Sequence, residues 1–306
     1  MRELPMNAKI VIVGGGIVGA SVAYHLAAKG VADVVLLEQN TMTSGTTWHA
    51  AGLVGQLRAT QNMTRLASYG AELYEQLELD GFPTGFKRTG SIAVANNEER
   101  LEELVRGADM ASCFDIDIQH IDVDTLASHW PLMHTDDLIG GVWVPRDGQT
   151  SPVDTTMALA NAAKQMGARI FENTGVAEIM TTGGSGSAGS GSGRRATGVR
   201  TTDGHEITAD AVVTCAGLWS RHLAAKAGAS IPLHGCEHFY LVTEHIEGLG
   251  QGLPTLRDPG SNTYIKEETG RILVGFFEPV AKPIDAHELP DKPFIQLEDD
   301  WDHLAP

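Results

Sequence analysis

The sequence is short of cysteine, of positive charge and of long apolar runs, and each shortage excludes a class of protein. Its three cysteines, Cys113, Cys215 and Cys236, stand far apart and show neither a disulfide framework nor metal-ligand spacing. Reduced thiols in a cytoplasmic protein are the expectation. Of the 12 histidines, His25, His120, His129, His134, His205, His222, His287 and His303 show no ligand spacing, and no metal is expected. Lys and Arg number 22 against 39 Asp and Glu, a net charge of −17, and no basic stripe occurs. That balance argues against nucleic acid or an anionic membrane as partner, because phosphate binding needs clustered cations. The longest apolar stretch, Ile10–Ala28, is broken by three consecutive glycines and followed by Asp33 and Glu38, so it reads as strand, turn and helix rather than a membrane span. Met1–Lys9 has no secretory signature and is too short for a transit peptide.

What is present is a dinucleotide-binding pattern. Lys9–Val13 is a continuous apolar run, as in a strand buried on both faces. Gly14-Gly15-Gly16-Ile17-Val18-Gly19 then fits G-x-G-x-x-G and opens a helix over Ile17–Lys29 that stops at Gly30. Val34–Leu37 is a second buried strand, and Glu38 follows it, 22 residues after Gly16. Gly14 permits the tight turn, Gly16 lets the backbone approach a pyrophosphate, and Gly19 lets helix and strand pack closely. The helix N-terminus presents N–H groups and partial positive charge to phosphate. Glu38 is placed to accept from ribose hydroxyls, with Gln39 beside it, and its charge disfavours a 2′-phosphate.

Further along, Thr60–Leu79 has helical periodicity with Leu66, Tyr69, Leu73 and Leu77 on one side. Ser91–Ala95 reads as a strand, Asn97 as the cap of a helix to Ala111, Leu138–Val144 as a strand, and Val153–Met166 as a helix stopped by Gly167. Short strands are expected at Arg169–Glu172, Val176–Met180 and Ala196–Arg200. Gly183–Gly193 contains only Gly, Ser and Ala, a flexible hairpin tip without chemistry and a degenerate or engineered replacement of a native loop.

The loop Ser44-Gly45-Thr46-Thr47-Trp48-His49-Ala50-Ala51-Gly52-Leu53 resembles the D-amino-acid-oxidase-like FAD family, and within it the dimethylglycine and sarcosine dehydrogenase branch. The resemblance implies FAD as cofactor, with Ser44, Thr46, Thr47, Gly52 and Leu53 against it. It implies a covalent link from His49 to the flavin 8α-methyl group; a noncovalent flavin above His49 is the alternative. It further implies a backbone contact to adenine at Val176, and a close passage to the cofactor at Ala216, Gly217 and Trp219 in Val212–Ser220. Asp147-Gly148 and Ser151–Asp154 resemble the family's return into its FAD domain. Glu237–Thr243 and Asn262–Glu267 resemble the two strands of its active-site face, where a His and a Tyr that handle the amine map onto His238 and Tyr264. His234 and His245 compete for the histidine role, and Arg257-Asp258 either meets a substrate carboxylate or closes a turn.

The implied fold class is α/β: a Rossmann-like FAD-binding domain (1–84 and 145–228) interleaved with an α+β antiparallel-sheet substrate domain (85–144 and 229–306). The implied activity is FAD-dependent oxidative N-demethylation of sarcosine or dimethylglycine, with a small amine as substrate and an electron-transfer flavoprotein or oxygen taking the electrons. Relatives in the family continue beyond this chain's last residues, into groups that face flavin N1 and C2=O. The chain alone is therefore expected to bind FAD imperfectly and react poorly. Two alternatives stay open: another amine or amino acid on the same fold, and a non-catalytic regulatory protein that keeps the flavin fold.

Overall fold

A computed structural model describes residues 3–183 and 194–304. In chain order its first elements are β1 (Asn7–Val13), α1 (Ile17–Ala28), β2 (Val34–Leu37), β3 (Leu53–Val54), α2 (Gln61–Leu79), β4 (Ser91–Ala95), α3 (Glu98–Ser112), β5 (Gln119–Ile121) and α4 (Val123–His129). Then come β6 (Gly140–Val144), β7 (Gly148–Gln149), α5 (Pro152–Gln165), β8 (Arg169–Phe171), β9 (Val176–Thr182), β10 (Arg195–Thr201), β11 (Glu206–Thr214) and α6 (Ser220–Lys226). The last are β12 (Gly235–Cys236), β13 (Tyr240–Val242), β14 (Thr255–Asp258), β15 (Thr263–Glu267), β16 (Ile272–Phe276), β17 (Pro283–Ile284) and α7 (Trp301–Leu304). The chain forms two compact units, residues 1–50, 152–236 and 282–306, and residues 51–151 and 237–281. The domain boundaries expected from sequence, at 84/85, 144/145 and 228/229, stand beside chain crossings at 50/51, 151/152, 236/237 and 281/282.

The first unit is built on a six-stranded sheet in the order β8-β2-β1-β11-β10-β9. β8, β2, β1 and β11 run parallel, and β11, β10 and β9 form an antiparallel meander. All four residues of β2 are buried, as the unbroken apolar run requires of a strand covered on both faces. One face carries a core of Val11, Val13, Val35, Leu37, Phe171, Val199, Ile207 and Leu223. α1 buries only Gly19, Ala20, Ala23 and Ala27, small residues that let it lie close to α5, itself buried through a run of alanines. It ends as the sequence predicts: Gly30 takes φ +74°, its N–H reaches Ala27 O, and Val31 N–H reaches Leu26 O. β9 and β10 pair as the expected hairpin arms; of the Gly/Ser segment that joins them, residues 184–193 lie outside the described residues.

The second unit is built on a seven-stranded sheet in the order β13-β16-β15-β14-β4-β6-β5, antiparallel except for the β14–β4 pair. Its core gathers Ile92, Val94, Leu126, Trp130 and Leu256. Asn97 caps α3 as predicted, its side chain accepting from Arg100 N. In α2 the packing differs from the apolar periodicity: Thr64, Ala71 and Leu77 are buried, while Leu66 is 63% exposed and Tyr69 47%. The face that meets the rest of this unit is narrower than the apolar stripe, and its first turns are held by small and polar residues. Thr64 illustrates this: its hydroxyl accepts from Arg58 N and donates to Arg58 O.

Candidate functional site

The first unit brings the dinucleotide motif together at the carboxyl ends of β1, β2 and β11, where doubly wound sheets bind ligands. Gly14 adopts φ +113°, and a Cβ there would strike the Cys215 carbonyl at the end of β11. Gly19 lies so close to the Gly14 carbonyl that no Cβ fits between them. Gly16 is the N-cap of α1 with no side-chain cap, and a Cβ on it would meet Thr47 Oγ1 at 2.9 Å. Thr47 Oγ1 also accepts from Ile17 N at 3.1 Å, so the second loop is pinned to the first helical turn. Val18, the next residue, is 60% exposed, a large apolar side chain left uncovered at the helix start.

Glu38 is buried, and its carboxylate accepts from Gly15 N at 2.6 Å and from Asn40 N at 2.9 Å. It braces the glycine turn from the end of β2, a role beyond the ribose contact expected of it; each oxygen keeps a further lone pair. Thr174 N donates to the Glu38 carbonyl, and a Cβ on Gly175 would stand 3.6 Å from the Gln39 Cβ, which sets Val176 at the start of β9 beside the same strand end. Ala216 approaches Gly14, Gly217 to Trp219 form a single 3₁₀ turn, and the Trp219 ring lies near Gly45. Ser44 is buried, and its hydroxyl donates to Thr41 O; Thr46 precedes the 3₁₀ turn Thr47–His49. His49 Nε2 donates to Ile295 O at 2.7 Å, and its ring lies against Trp48. Gly52 and Leu53 belong to the second unit, where Gly52 O accepts from Thr150 N and Leu53 pairs with Gln149.

These residues fit a dinucleotide. The glycine turn is packed against Cys215, Glu38, Thr47 and its own Gly14 carbonyl with no room for a Cβ, and Gly16 at the helix N-cap supplies no side chain to cover the first turn. Two buried polar atoms near it, Trp48 Nε1 and Thr214 Oγ1 at the end of β11, have no partner among the described residues.

The second unit holds a different assembly. In register across its sheet, Tyr240, Gly275, Tyr264 and Arg257 form one row over β13, β16, β15 and β14. Gly275 is the gap in that row, and the Tyr264 ring occupies the space where its Cβ would stand. The phenol oxygen thereby reaches His238 Nε2 at 3.0 Å, with the two rings stacked at an interplanar angle of 22°. His238 lies just outside a strand, because the strand expected over Glu237–Thr243 forms only from Tyr240 to Val242. Of the competing histidines, His245 packs against Gly270 and His234 falls in the first unit; His238 is the one bonded to Tyr264. Burial, reinforced by the neighbouring Tyr240 and Glu278, pushes the Tyr264 phenol up to about 12, so its hydroxyl keeps its proton at any physiological pH. Arg257 sits in β14 beside Tyr264, and Asp258 closes the following turn by accepting from Gly260 N and Ser261 Oγ.

Sequence reasoning did not find three residues of this unit. Gly275 makes room for Tyr264. Glu278 stands beside His238. Lys266, buried, ties Ala51 O and Glu268 to the same strand as Tyr264. Two positions apart in β15, Tyr264 and Lys266 share a face, and strand alternation was the signal available for Lys266.

Residues 9–305 match the family described as FAD dependent oxidoreductase (DAO). The chain is 39% identical to 4-methylaminobutanoate oxidase (formaldehyde-forming) of Paenarthrobacter nicotinovorans, over 99% of this chain and 36% of that protein. It is 38% identical to the mitochondrial pyruvate dehydrogenase phosphatase regulatory subunit of Mus musculus, over 99% of this chain and 34% of that one. To the mitochondrial sarcosine dehydrogenase of Homo sapiens it is 36% identical, over 98% of this chain and 32% of that one. It spans about a third of the length of these curated relatives. Among solved structures, the L-proline dehydrogenase from P. horikoshii superposes with a TM-score of 0.82 at 24% identity, covering 94% of this chain and 74% of that one, which shows a shared fold.

Proposed function

The chain belongs to the DAO family of FAD-dependent oxidoreductases, and from that premise we propose that it serves the oxidative N-demethylation of a small N-methylated amino acid, sarcosine or dimethylglycine. In this reading the first unit is the cofactor-binding domain and the second the substrate domain. Gly14, Gly16, Ile17, Val18, Gly19, Glu38, Gln39, Ser44, Thr46, Thr47 and His49 hold the dinucleotide, with Val176, Ala216, Gly217 and Trp219 around it. The observation that carries the reading is the hydrogen-bonded His238–Tyr264 pair, a proton relay whose phenol is held in β15. The identity to a formaldehyde-forming methylamine oxidase and to a sarcosine dehydrogenase supports the substrate class.

An amine is protonated near neutral pH and cannot release hydride until its nitrogen lone pair is free. Tyr264 Oη takes the ammonium proton while its own proton passes to His238 Nε2, so the phenol stays neutral throughout. Arg257, in the same row of the sheet, is available to the substrate carboxylate. FAD, when bound, supplies the acceptor for the N-methyl hydride. The resulting iminium adds water and separates into formaldehyde and the demethylated amine. The electrons then leave to an electron-transfer flavoprotein or to oxygen.

The test is anaerobic addition of sarcosine, dimethylglycine or 4-methylaminobutanoate to the flavin-loaded chain, following the visible flavin band and formaldehyde. Bleaching with equimolar formaldehyde is expected; a fully loaded protein that no N-methyl amine bleaches would overturn the reading. Acid precipitation of the same sample tests His49, since covalent flavin stays with the pellet. A second reading rests on the identity to a phosphatase regulatory subunit: a flavin-fold protein without turnover. It predicts stoichiometric flavin with no bleaching by any amine.

A further inference from the structure

The geometry assigns Glu278 as the positioning residue for His238: its carboxylate holds the imidazole with Nδ1–H turned towards it and Nε2 open to the Tyr264 hydroxyl. The Glu278 side chain is only 9% exposed, and one of its oxygens, Oε1, is buried with no hydrogen-bond partner among the described residues. A buried carboxylate so poorly satisfied is costly unless a neighbouring group answers its charge. The other oxygen lies 3.7 Å from His238 Nδ1, beyond direct hydrogen-bond reach but within ion-pair range.

The backbone fixes this approach. Phe277 N donates to Asn262 O, which extends the β15–β16 pairing past the end of β16. Pro279 follows Glu278 and restricts its backbone to the extended region. The Phe277 ring stacks on His238 at 5.2 Å and approaches Tyr264 at 5.3 Å, so the imidazole has a ring on one face and the Tyr264 hydroxyl and Glu278 carboxylate at its two nitrogens.

Only one neutral tautomer is consistent with both neighbours. With hydrogen on Nε2, the Nδ1 lone pair would face a carboxylate whose own side chain is shielded from water, a repulsive arrangement even though the imidazole is 40% exposed. With hydrogen on Nδ1, the N–H dipole points at Glu278 and Nε2 accepts from Tyr264, whose hydroxyl retains its proton. When the relay delivers a second proton to His238, the imidazolium forms beside a negative charge already in place. The functional value of this arrangement rests on the reading of His238 and Tyr264 as the amine-handling pair, but the tautomer itself does not.

The experiment is a long-range ¹H–¹⁵N correlation spectrum of the full chain with ¹⁵N-labelled histidine, His238 being assigned by its loss in His238→Asn. The wild-type neutral ring should show the Nδ1–H pattern. Glu278→Leu should lose that preference, while Glu278→Gln, whose amide oxygen can still accept, should keep it. An Nε2–H pattern in the wild type would overturn the assignment even if the leucine variant failed to fold. So would an unchanged His238 pattern in folded Glu278→Leu. Because no turnover is measured, a chain inert towards every amine would sink the proposed activity and leave this result standing.

Discussion

The glycine turn of the first unit and the His238–Tyr264 pair of the second are built by opposite means. The turn is a backbone device. Gly14, Gly16, Gly19 and Glu38 sit at fixed local spacings because one strand, one turn and one helix must close on each other. The pair is a side-chain device. His238, Tyr264 and the pair Gly275 and Glu278 come from three separate segments, and only the register of the sheet makes them neighbours. The comparison teaches that a site made of backbone announces itself in sequence, while a site made across a sheet announces only its members.

The largest expected effect tests the backbone half. Gly19→Ala would drive a methyl group into the Gly14 carbonyl, a clash of backbone on backbone with no side chain to yield. The cost should exceed the ~1–3 kcal/mol typical of an overpacked core. Urea denaturation should show a chain mostly unfolded at 25 °C or one that no longer retains flavin. A stable, flavin-replete Gly19→Ala protein would mean that the turn tolerates a displacement its geometry forbids, and the contrast would fail.

Gly275→Ala addresses the side-chain half with a milder perturbation. The added methyl would fall within the Tyr264 ring, which can swing away, so the fold survives while the 3.0 Å bond to His238 is lost. Flavin content should be unchanged and amine-dependent bleaching should fall about 100-fold, the usual cost of a misplacement near 1 Å. Equal damage to flavin content and bleaching would show that the two devices are not separable.

The same contrast explains what could be read from the sequence. The parallel strands, α1 with its Gly30 stop, the Asn97 cap and the glycine fingerprint each follow from a few adjacent residues, and each is present as expected. His238 and Tyr264 were named by resemblance, and their hydrogen bond is long-range information that periodicity does not hold. Gly275 was passed over because a glycine in a strand carries no chemistry of its own; its meaning is the ring across from it. Glu278 was one of 39 acidic residues until its burial and its orphan oxygen set it apart. Glu38, by contrast, was placed by spacing alone, yet its grip on Gly15 N was visible only in the fold.

Tyr264 offers a smaller and more specific test. Its phenol is raised to about 12 in the folded chain against about 10 unfolded. The raised value means that the neutral form is favoured by folding. Its stabilising contribution is complete below pH ~10 and is lost as pH climbs from ~10 to ~12, because the unfolded chain releases its proton first. Stability should fall by roughly 2 kcal/mol across that window in the wild type, over and above other alkaline losses. Tyr264→Phe should remove that increment, measured as the difference between the two chains in urea midpoints at pH 9.5 and 11.5. Parallel curves would show that the phenol is not held in the apolar setting described.

The smallest expected effect concerns α2, where the local pattern and the tertiary packing diverge. Leu66, Tyr69, Leu73 and Leu77 share a helical stripe, yet Leu77 is 1% exposed and Leu66 63%. If neighbours across space decide burial in this unit, as they decide the His238 site, Leu66→Ser removes no packed contact. It should then shift the unfolding free energy by no more than ~0.5 kcal/mol, the range of surface substitutions. Serine's lower helix propensity accounts for up to a few tenths of a kcal/mol of that. A loss of ~2 kcal/mol or more would mean that the stripe is buried along its whole length, and that the pattern in the sequence was the better guide to the second unit after all.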